Sequence, residues 1–280
     1  MCSELYLIKD KCFEDGDEFS VFKTTLSCSI LRKKYSAPEL LRVLNNPSAF
    51  LSRVSPVLKD SSTTFAGLIR LDGHDFFLKK YNNKGFCHSL RYLFRIPRPL
   101  KAFRNSCLFN SCEIPVPEAA AVLCRWKAGL LQDGYLISEF YGDSIPTLDF
   151  HKILHNDSTS FIRNEFAATV GSYLARLHEN GIAHGDLKMS NIFVRKKDGG
   201  SFSYGLWDLD SARIQKRPIS EKSRIRELSR VISSFMEIGS RLGVKSNLDE
   251  CITLFSQPYS DKSGTALPRN ALIKRIENFF

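Results

Sequence analysis

Two short segments of the chain place oxygen-bearing and basic side chains in an order that suits phosphoryl transfer. The first segment contains Asp186, Lys188 and Asn191, and the second contains Asp208. Phosphoryl transfer needs a group that orients or deprotonates the acceptor hydroxyl, and ligands that hold metal ions on the phosphates. Asp186 suits the first task. Asn191 and Asp208 suit the second, because Mg²⁺ prefers oxygen ligands.

The residues between these two segments predict a β-hairpin that supports both. Residues 191–194 have the composition of a strand, and Asp198-Gly199-Gly200 is a hairpin turn signal. Residues 203–207 return as a second strand that ends at Asp208. The carboxylates of Asp186 and Asp208 are therefore expected at strand or loop ends, where a rigid scaffold can orient them.

A helix is predicted before the first segment, and another after the second. Apolar residues recur at helical spacing from Phe161 to Leu177, and Asn180-Gly181 is a typical helix end. Residues 227–235 read as a further helix. These apolar stripes indicate a packed core.

The first segment resembles the protein-kinase catalytic loop, H-R-D-L-K-x-x-N, with Gly185 at the arginine position. The second resembles D-F-G, and reads Asp208-Leu209-Asp210 here. By this resemblance Asp186 is the catalytic aspartate, Lys188 steadies the transferred phosphate, and Asn191 and Asp208 hold Mg²⁺.

Two neighbouring residues, His184 and Asp210, are outside this set of roles. His184 is expected to be a packed structural histidine. Asp210 either adds a metal contact or caps the turn, and the sequence leaves both readings open.

The kinase resemblance implies an α+β class and a bilobal protein-kinase-like fold, with a small β-rich N-lobe and a larger helical C-lobe. Residues 1–137 are expected to form the N-terminal lobe that grips the nucleotide phosphates, and residues 138–142 the hinge. Residues 143–280 would form the C-terminal lobe with the catalytic loop, metal site and acceptor site. Backbone groups near Glu139 and Tyr141 would meet the adenine of ATP.

In kinases a strand lysine grips the α- and β-phosphates, and the strand over residues 75–81 offers two candidates. Neighbouring strand residues point to opposite faces. Lys79 shares its face with Phe77 and Tyr81, whereas Lys80 shares its face with Leu78. We favour Lys79. The alternative is that both lysines are solvent-exposed on an edge strand.

The glycine-rich loop of protein kinases is absent from this sequence. In its place, Ser61, Ser62 and Thr63 offer hydroxyl and backbone N–H groups that can cap phosphates. A helix is predicted over residues 99–110, where kinases carry a glutamate that pairs with the strand lysine. This helix has no acidic residue, and Glu113 follows it, so the partner of the lysine stays open.

The region after Asp208 points away from a peptide substrate. Only ten residues, 211–220, precede the next helix-like sequence, and no A-P-E segment is present. Gly185 also removes the arginine that reads a phosphorylated activation loop. A small-molecule or glycan acceptor therefore fits better.

Over roughly residues 55–235 the chain resembles the lipopolysaccharide kinase family, bacterial kinases of Kdo or heptose in the lipopolysaccharide inner core. The matching stretches are residues 58–64, 78–81, 181–188 and 207–210. The resemblance implies ATP and Mg²⁺ as cofactors, a lipid-anchored glycan as substrate, and a cytoplasmic location at the periphery of the inner membrane.

Composition agrees with a globular protein that meets anionic partners. The chain has 280 residues, 43% of them hydrophobic, and a net charge of +10. An anionic membrane surface is the expected partner; no nucleic-acid module and no obligate protein partner is evident. Eight cysteines without a C-x-x-C motif indicate reduced thiols in a cytosolic protein. No apolar run has membrane-spanning length, and no secretory signal is seen.

Two further segments are candidates for membrane contact. One is a basic segment interleaved with aromatic residues, made of Arg91, Tyr92, Phe94, Arg95, Arg98, Lys101, Phe103 and Arg104. The other is the amphipathic run of residues 272–280, for which packing against the C-lobe is the favoured reading.

Three alternatives to the sugar-kinase reading remain. One is another small-molecule kinase of this fold, such as those resembling aminoglycoside phosphotransferases. Another is a protein kinase with a shortened loop. The third is an inactive pseudokinase that binds a membrane or a partner.

Overall fold

The structure is a computed structural model that describes residues 10–82, 96–156 and 160–279. The described chain divides into two compact units. Of the described residues, the strand-rich unit contains those from Asp10 to Asn110 and the segment Pro117–Tyr141. The helix-rich unit contains Ser111–Val116 and the chain from Gly142 onward.

An antiparallel sheet forms the strand-rich unit. Its strands, within the described residues, are β1 (Phe19–Lys23), β2 (Ser27–Arg32), β3 (Val57–Ser61), β4 (Thr64–Leu71), β5 (His74–Tyr81), β6 (Ala119–Lys127) and β7 (Leu130–Glu139). They lie in the order β1-β2-β6-β7-β5-β4-β3.

A helix covers each face of this sheet. Helix α1 (Pro38–Asn45) buries Leu40 and Val43 against a face that includes Leu78. Helix α2 (Arg98–Ser111) buries Leu100 and Phe103 against the opposite face. Since side chains alternate along a strand, β2, β6 and β7 supply residues to both cores.

The helix-rich unit is built on helices that pack around the two motif segments. The described helices are α3 (Thr147–Leu154), α4 (Ser160–Glu179), α5 (Glu221–Arg241), α6 (Leu248–Ser263) and α7 (Arg269–Glu277). Short strands β8 (Ile182–Ala183) and β11 (Arg213–Ile214) pair with each other. The hairpin of β9 (Ile192–Lys196) and β10 (Phe202–Leu206) carries the segment between the two motifs.

Close packing of α4 on α6 fixes the core of this unit. A Cβ atom at Gly171 would lie 3.0 Å from the backbone nitrogen of Tyr259, so the two helices approach at backbone distance. The rings of Phe166 and Phe255 meet edge to face with centroids 6.2 Å apart. Aromatic pairs prefer this geometry.

Most elements with local signals lie where the sequence predicts them. The hairpin over 191–207, the helix over 99–110 and the helix that ends before Asn180 are confirmed. The helix predicted over 227–235 is longer, and begins at Glu221 directly after the ten-residue connection. Strands β1 and β2 were not predicted, because their burial does not alternate along the chain.

None of the described helices combines the length and apolar character needed to cross a membrane.

Candidate active site

Hydrogen bonds to backbone carbonyl groups fix the two motif segments against each other. The Trp207 backbone N–H donates to the Asn191 carbonyl at 3.1 Å, and its indole N–H donates to the Ser190 carbonyl at 2.8 Å. His184 Nε2 donates to the Trp207 carbonyl at 3.2 Å. Asp208 follows Trp207 directly in the sequence. The three hydrogen bonds of Trp207 therefore fix the position of Asp208 relative to the first motif segment.

Asp186 lies among three nitrogen-bearing side chains. Its Oδ1 accepts a hydrogen bond from Arg230 Nη1 at 2.8 Å. Lys188 Nζ lies 3.4 Å from Oδ2, and Asn191 Nδ2 lies 3.5 Å from the same oxygen. The Asp186 side chain is 37% exposed, so an acceptor hydroxyl can reach the carboxylate from solvent.

Asn191 and Asp208 have the chemistry of Mg²⁺ ligands. Asn191 is buried, and its Nδ2 donates to the Asp186 carbonyl at 2.8 Å. That bond assigns the amide oxygen as the atom available to a metal. Asp208 is exposed and has a left-handed backbone with φ of 57°. Such strain in a non-glycine residue is typical of functional positions.

These two oxygen ligands fit a metal that is held partly by phosphate. Within the described ranges, no group of three or more His, Cys, Asp or Glu side chains is arranged to hold a metal ion. Mg²⁺ commonly uses one or two protein carboxylates and completes its shell with phosphate oxygens and water. Asn191 and Asp208 therefore fit Mg²⁺ that arrives with a nucleotide.

Gly185 stands where protein kinases have arginine, and the backbone explains why. Its φ is +85°, and a Cβ atom would lie 2.5 Å from the Ser211 carbonyl oxygen. A side chain at this position would meet that backbone oxygen and adopt a disfavoured conformation.

Glu227 on α5 anchors the start of the catalytic loop. Its carboxylate accepts hydrogen bonds from the backbone N–H groups of His184, at 3.0 Å, and Gly185, and from His178 Nε2 at 3.1 Å. Burial raises the pKa of Glu227, but these hydrogen bonds and the electrostatic effect of neighbouring His178 outweigh burial and leave the pKa below its ordinary value. A buried carboxylate thus holds the loop in place.

The anchor continues into the core of the helix-rich unit. His178 Nδ1 lies 3.1 Å from the Tyr259 hydroxyl, which accepts from Arg224 Nη1 at 3.1 Å. Arg224 in turn donates to Glu179 at 2.5 Å. This network joins α4, α5 and α6 to the loop. Its one sequence signal is an acidic residue, Glu227, within the apolar stripe of α5.

His184 is buried, as the sequence predicts for a structural residue. Its side chain is fully enclosed, and burial holds its pKa below the usual value. The neutral ring donates to the Trp207 carbonyl and so joins the two motifs.

In the strand-rich unit, Lys79 lies on the sheet face that α2 covers. It pairs with Ala66 on β4 and Leu136 on β7, and Leu136 packs in the α2 core. Its Nζ lies 5.2 Å from the centroid of the Tyr81 ring. Lys80 lies on the opposite face. The assignment of Lys79 as the nucleotide lysine stays a prediction.

The Ser61–Thr64 segment forms the tip of the β3–β4 hairpin. Ser61 Oγ accepts from the Thr64 N–H at 3.2 Å and lies 3.3 Å from the Thr63 hydroxyl. Ser62 is exposed at the turn. The structure therefore places small hydroxyl residues at a tight turn. In protein kinases the glycine-rich loop occupies the corresponding position in the sequence.

Glu139 is the last residue of β7, the central strand of the sheet. Its backbone N–H donates to the Glu118 carbonyl at 2.9 Å, and the Tyr141 hydroxyl donates to Glu139 Oε2 at 3.0 Å. The Tyr35 hydroxyl lies 2.7 Å from carboxylate oxygens of both Glu118 and Glu139. Burial, together with both carboxylates, raises the pKa of Tyr35. Sequence reasoning did not find this role of Tyr35.

Glu113, the acidic residue after α2, is engaged in the helix-rich unit. Its carboxylate accepts from Arg176 Nη1 at 2.7 Å. Helix α2 itself carries no acidic residue. The partner of the strand lysine, which the sequence leaves open, stays open.

The two membrane-contact candidates differ from the sequence expectation in part. Arg91, Tyr92, Phe94 and Arg95 lie outside the described residues. Arg104, which the sequence groups with them, is only 9% exposed and so is not a surface residue. In the C-terminal run, α7 buries Leu272 and Ile276, which agrees with the favoured packed reading.

Comparison with known proteins agrees with this geometry. A sequence model of the lipopolysaccharide kinase (Kdo/WaaP) family matches residues 61–250. Among solved structures, "WaaP in complex with acyl carrier protein" matches with a TM-score of 0.63 at 15% identity, covering 86% of this chain and 94% of that chain. No curated protein sequence matches the chain. At this identity the structural likeness shows the fold, which is that of the WaaP kinase.

The family match covers both motif segments, the lysine strand and most of the helix-rich unit. It thereby includes Asp186 with the residues that surround it. The chain belongs to the lipopolysaccharide kinase (Kdo/WaaP) family.

Proposed function

We propose that this protein is an ATP- and Mg²⁺-dependent kinase that phosphorylates a sugar hydroxyl, of Kdo or heptose, in the lipopolysaccharide inner core. The observation that carries the proposal is the exposed Asp186 carboxylate with Lys188 and Asn191 on its Oδ2 side. Family membership supports kinase chemistry on lipopolysaccharide.

In the proposed reaction Asp186 orients the acceptor hydroxyl and accepts its proton. Lys188 offsets charge that develops on the transferred phosphoryl group. Asn191 and Asp208 hold Mg²⁺, which neutralises phosphate charge when it is bound. The backbone bonds of Trp207 keep both ligands in register with Asp186.

The nucleotide roles in the strand-rich unit are also proposals. Lys79 holds the α- and β-phosphates, and Ser61, Ser62 and Thr63 cap phosphate oxygens with hydroxyl and N–H groups. Backbone groups near Glu139 and Tyr141 contact the adenine. The Glu139 N–H already serves the sheet, so the contact falls on its carbonyl or on later residues.

We propose residues 138–142 as the hinge between lobes, with residues 1–137 and 143–280 as the lobes themselves. We also propose work at the cytosolic face of the inner membrane, because the acceptor is lipid-anchored and the chain carries a net charge of +10.

The first test is transfer of labelled phosphate from ATP to a Kdo- and heptose-containing glycolipid by the purified chain. The WaaP structure contains acyl carrier protein, so the assay is run with and without added acyl carrier protein. Mass spectrometry of lipopolysaccharide from cells with and without the protein should show a difference of one phosphate. Label on protein instead of glycolipid would indicate a protein kinase, and nucleotide binding without transfer would indicate a pseudokinase.

Asp186→Asn should lower kcat by about 10³-fold, because the general base is lost. Asp186→Ala should behave alike, with the fold unchanged by circular dichroism. Asp198→Asn is the matched control, since Asp198 is an exposed carboxylate at the hairpin turn. Near-normal turnover by either Asp186 variant would refute the assignment.

A further inference from the structure

Arg230 uses only one of its nitrogen atoms to hold the catalytic loop. Its Nη1 donates both to the Gly185 carbonyl at 3.0 Å and to Asp186 Oδ1 at 2.8 Å. Nε and Nη2 make no hydrogen bond to any residue in the described ranges. The side chain is 32% exposed. A guanidinium edge with two parallel N–H groups therefore remains open beside the Asp186 carboxylate.

This edge matches a specific ligand chemistry. A guanidinium binds carboxylate and phosphate groups through two parallel hydrogen bonds, and such charge-assisted pairs are stronger than neutral ones. An anion seated there would be held next to Asp186 by a side chain that is itself fixed by two hydrogen bonds.

Two further cations continue from Arg230 along the same face of α5. Arg226 and Lys222 precede it by one and two helical turns, and residues four apart share a helix face. Neither has an ion pair with a residue that the structure describes. Other basic residues of α5 are paired: Arg224 with Glu179, and Arg241 with Glu237.

The stripe of Lys222, Arg226 and Arg230 is unfavourable for the helix by itself. Like charges four residues apart destabilise a helix by about 0.2–0.5 kcal/mol per pair. No acidic residue interrupts the stripe, although α5 has acidic residues elsewhere at Glu221, Glu227 and Glu237. Binding of an external anion therefore explains these three charges better than a contribution to the stability of the helix does.

The two carboxylate oxygens of Asp186 face different side chains. Oδ2 faces Lys188 and Asn191, which the proposed function assigns to the transferred phosphate and the metal. Oδ1 faces Arg230. If Oδ2 serves the phosphate and the metal, the Oδ1 side with Arg230 is the side left for the acceptor sugar.

We infer that the α5 stripe recognises an anionic group, a carboxylate or a phosphate, carried by the acceptor sugar or by the sugar next to it. Arg230 grips the anion through its Nε–Nη2 edge and so places the acceptor hydroxyl beside Asp186. Arg226 and Lys222 extend the contact to anions farther along the glycan. This inference rests on the proposed function, and names the acceptor as an acidic glycan.

The test compares acceptors that differ only in charge. A Kdo-containing glycolipid is prepared intact, with its carboxylates reduced to alcohols, and with its phosphates removed. The values of kcat and KM are measured for the native chain and for Arg226→Gln, Arg230→Gln and Arg230→Lys. Arg241→Gln is the matched control, because Arg241 lies on α5 but pairs with Glu237.

The native chain should prefer the intact acceptor over one neutralised form by about 10- to 100-fold in kcat/KM, the range expected for a charge-assisted hydrogen bond. The neutralised form that loses activity identifies the anion as carboxylate or phosphate. Arg226→Gln and Arg230→Gln should shrink this preference, mainly through the acceptor KM. Arg230→Lys should restore part of it, and Arg241→Gln should retain it in full.

Two outcomes would overturn the inference. One is a native chain that uses the intact and both neutralised acceptors equally. The other is a loss in the arginine variants that is the same on all acceptors, which would make Arg230 only a positioning residue for Asp186.

A binding measurement separates this inference from the proposed function. Isothermal titration calorimetry of the deacylated glycan, without nucleotide, reports the anion site even if no phosphate is transferred. Failure of transfer with charge-dependent binding would refute the proposed function alone. Absence of charge-dependent binding would refute the anion site.

Discussion

At the scale of single residues, Gly185 shows why this site departs from the protein-kinase pattern. Its carbonyl accepts from Arg230 and its N–H donates to Glu227, so α5 holds both polar groups of its backbone. With φ at +85° and the Ser211 carbonyl close by, the position excludes a side chain. An arginine does contact this position, but it is Arg230 of α5, which donates to the Gly185 carbonyl and to Asp186.

Gly185→Ala should therefore destabilise the fold and lower kcat. The left-handed conformation alone costs about 1–2 kcal/mol for a residue with a Cβ atom, and contact with the Ser211 carbonyl adds to this cost. Gly199→Ala is a matched control, because Gly199 has φ of +84° and open space around it. Urea unfolding of both variants, with kcat for each, measures the difference. Equal losses in the two variants would show that the Ser211 contact is unimportant.

His151 is a second residue whose burial should have a measurable effect, here on the pH dependence of stability. It is fully buried on α3, and neither ring nitrogen has a hydrogen-bond partner within the part of the chain that the structure describes. Burial, helped by neighbouring His155, lowers the pKa of His151 to about 4. The folded protein thus keeps this ring neutral, whereas the unfolded chain protonates it below about pH 6.5.

The free energy of unfolding should fall as the pH drops from about 6.5 to about 4. In this window the unfolded state binds the His151 proton and the folded state does not, which costs about 3 kcal/mol in total. Urea unfolding across this range should show a shallower decline for His151→Leu. His74→Leu is the control, because His74 is exposed. The same decline in native and His151→Leu proteins would contradict the prediction.

At the scale of elements, α5 organises the catalytic segments. It supplies Glu227 to the loop backbone, Arg230 to Asp186, and Ser234 to the Met189 N–H at 3.0 Å. These three side chains lie on successive turns of one helix. Helix position therefore sets loop position, and the network through His178 and Tyr259 fixes the helix.

Glu227→Gln should destabilise the helix-rich unit by about 3 kcal/mol, because it removes a buried carboxylate that accepts hydrogen bonds from two backbone N–H groups and His178. The glutamine NH₂ group would also face backbone donors. Glu221→Gln, in the exposed first turn of α5, should change stability by less than about 0.5 kcal/mol. Urea unfolding with kcat for each variant is the measurement.

The stabilising contribution of Glu227 should also depend on pH. Glu227 stabilises the fold as a charged carboxylate, whereas His151 is neutral in the folded protein. The pKa of Glu227 is lowered on folding, so its contribution is present above the unfolded value of about 4.3 and is lost as the pH falls through the folded value. The difference between native and Glu227→Gln proteins should thus shrink at low pH. A difference that stays constant with pH would show that the charge of Glu227 is not what stabilises the loop.

Sequence patterns found the elements with local signals and missed the contacts between distant ones. The β9–β10 hairpin follows from Asp198-Gly199-Gly200, and α4 from its apolar period. Glu227 meets Gly185 across 42 residues, and Tyr35 meets Glu139 across 104 residues, so no local pattern reports either contact. Arg230 was missed because its contact, Asp186, is also distant in the sequence. In addition, an arginine on a helix is ordinarily a solvated surface residue.

At the scale of the whole molecule, the net charge of +10 predicts salt-dependent attraction to anionic lipid. Each basic side chain near an anionic surface contributes about 1 kcal/mol, and the attraction falls off within a Debye length. The full chain should sediment with vesicles of phosphatidylcholine and phosphatidylglycerol, but not with phosphatidylcholine alone. Binding should weaken when salt rises from about 0.1 M to about 0.5 M, because the Debye length shortens. Equal binding to both vesicle types, or binding that salt does not change, would show that apolar insertion and not charge brings this protein to the membrane.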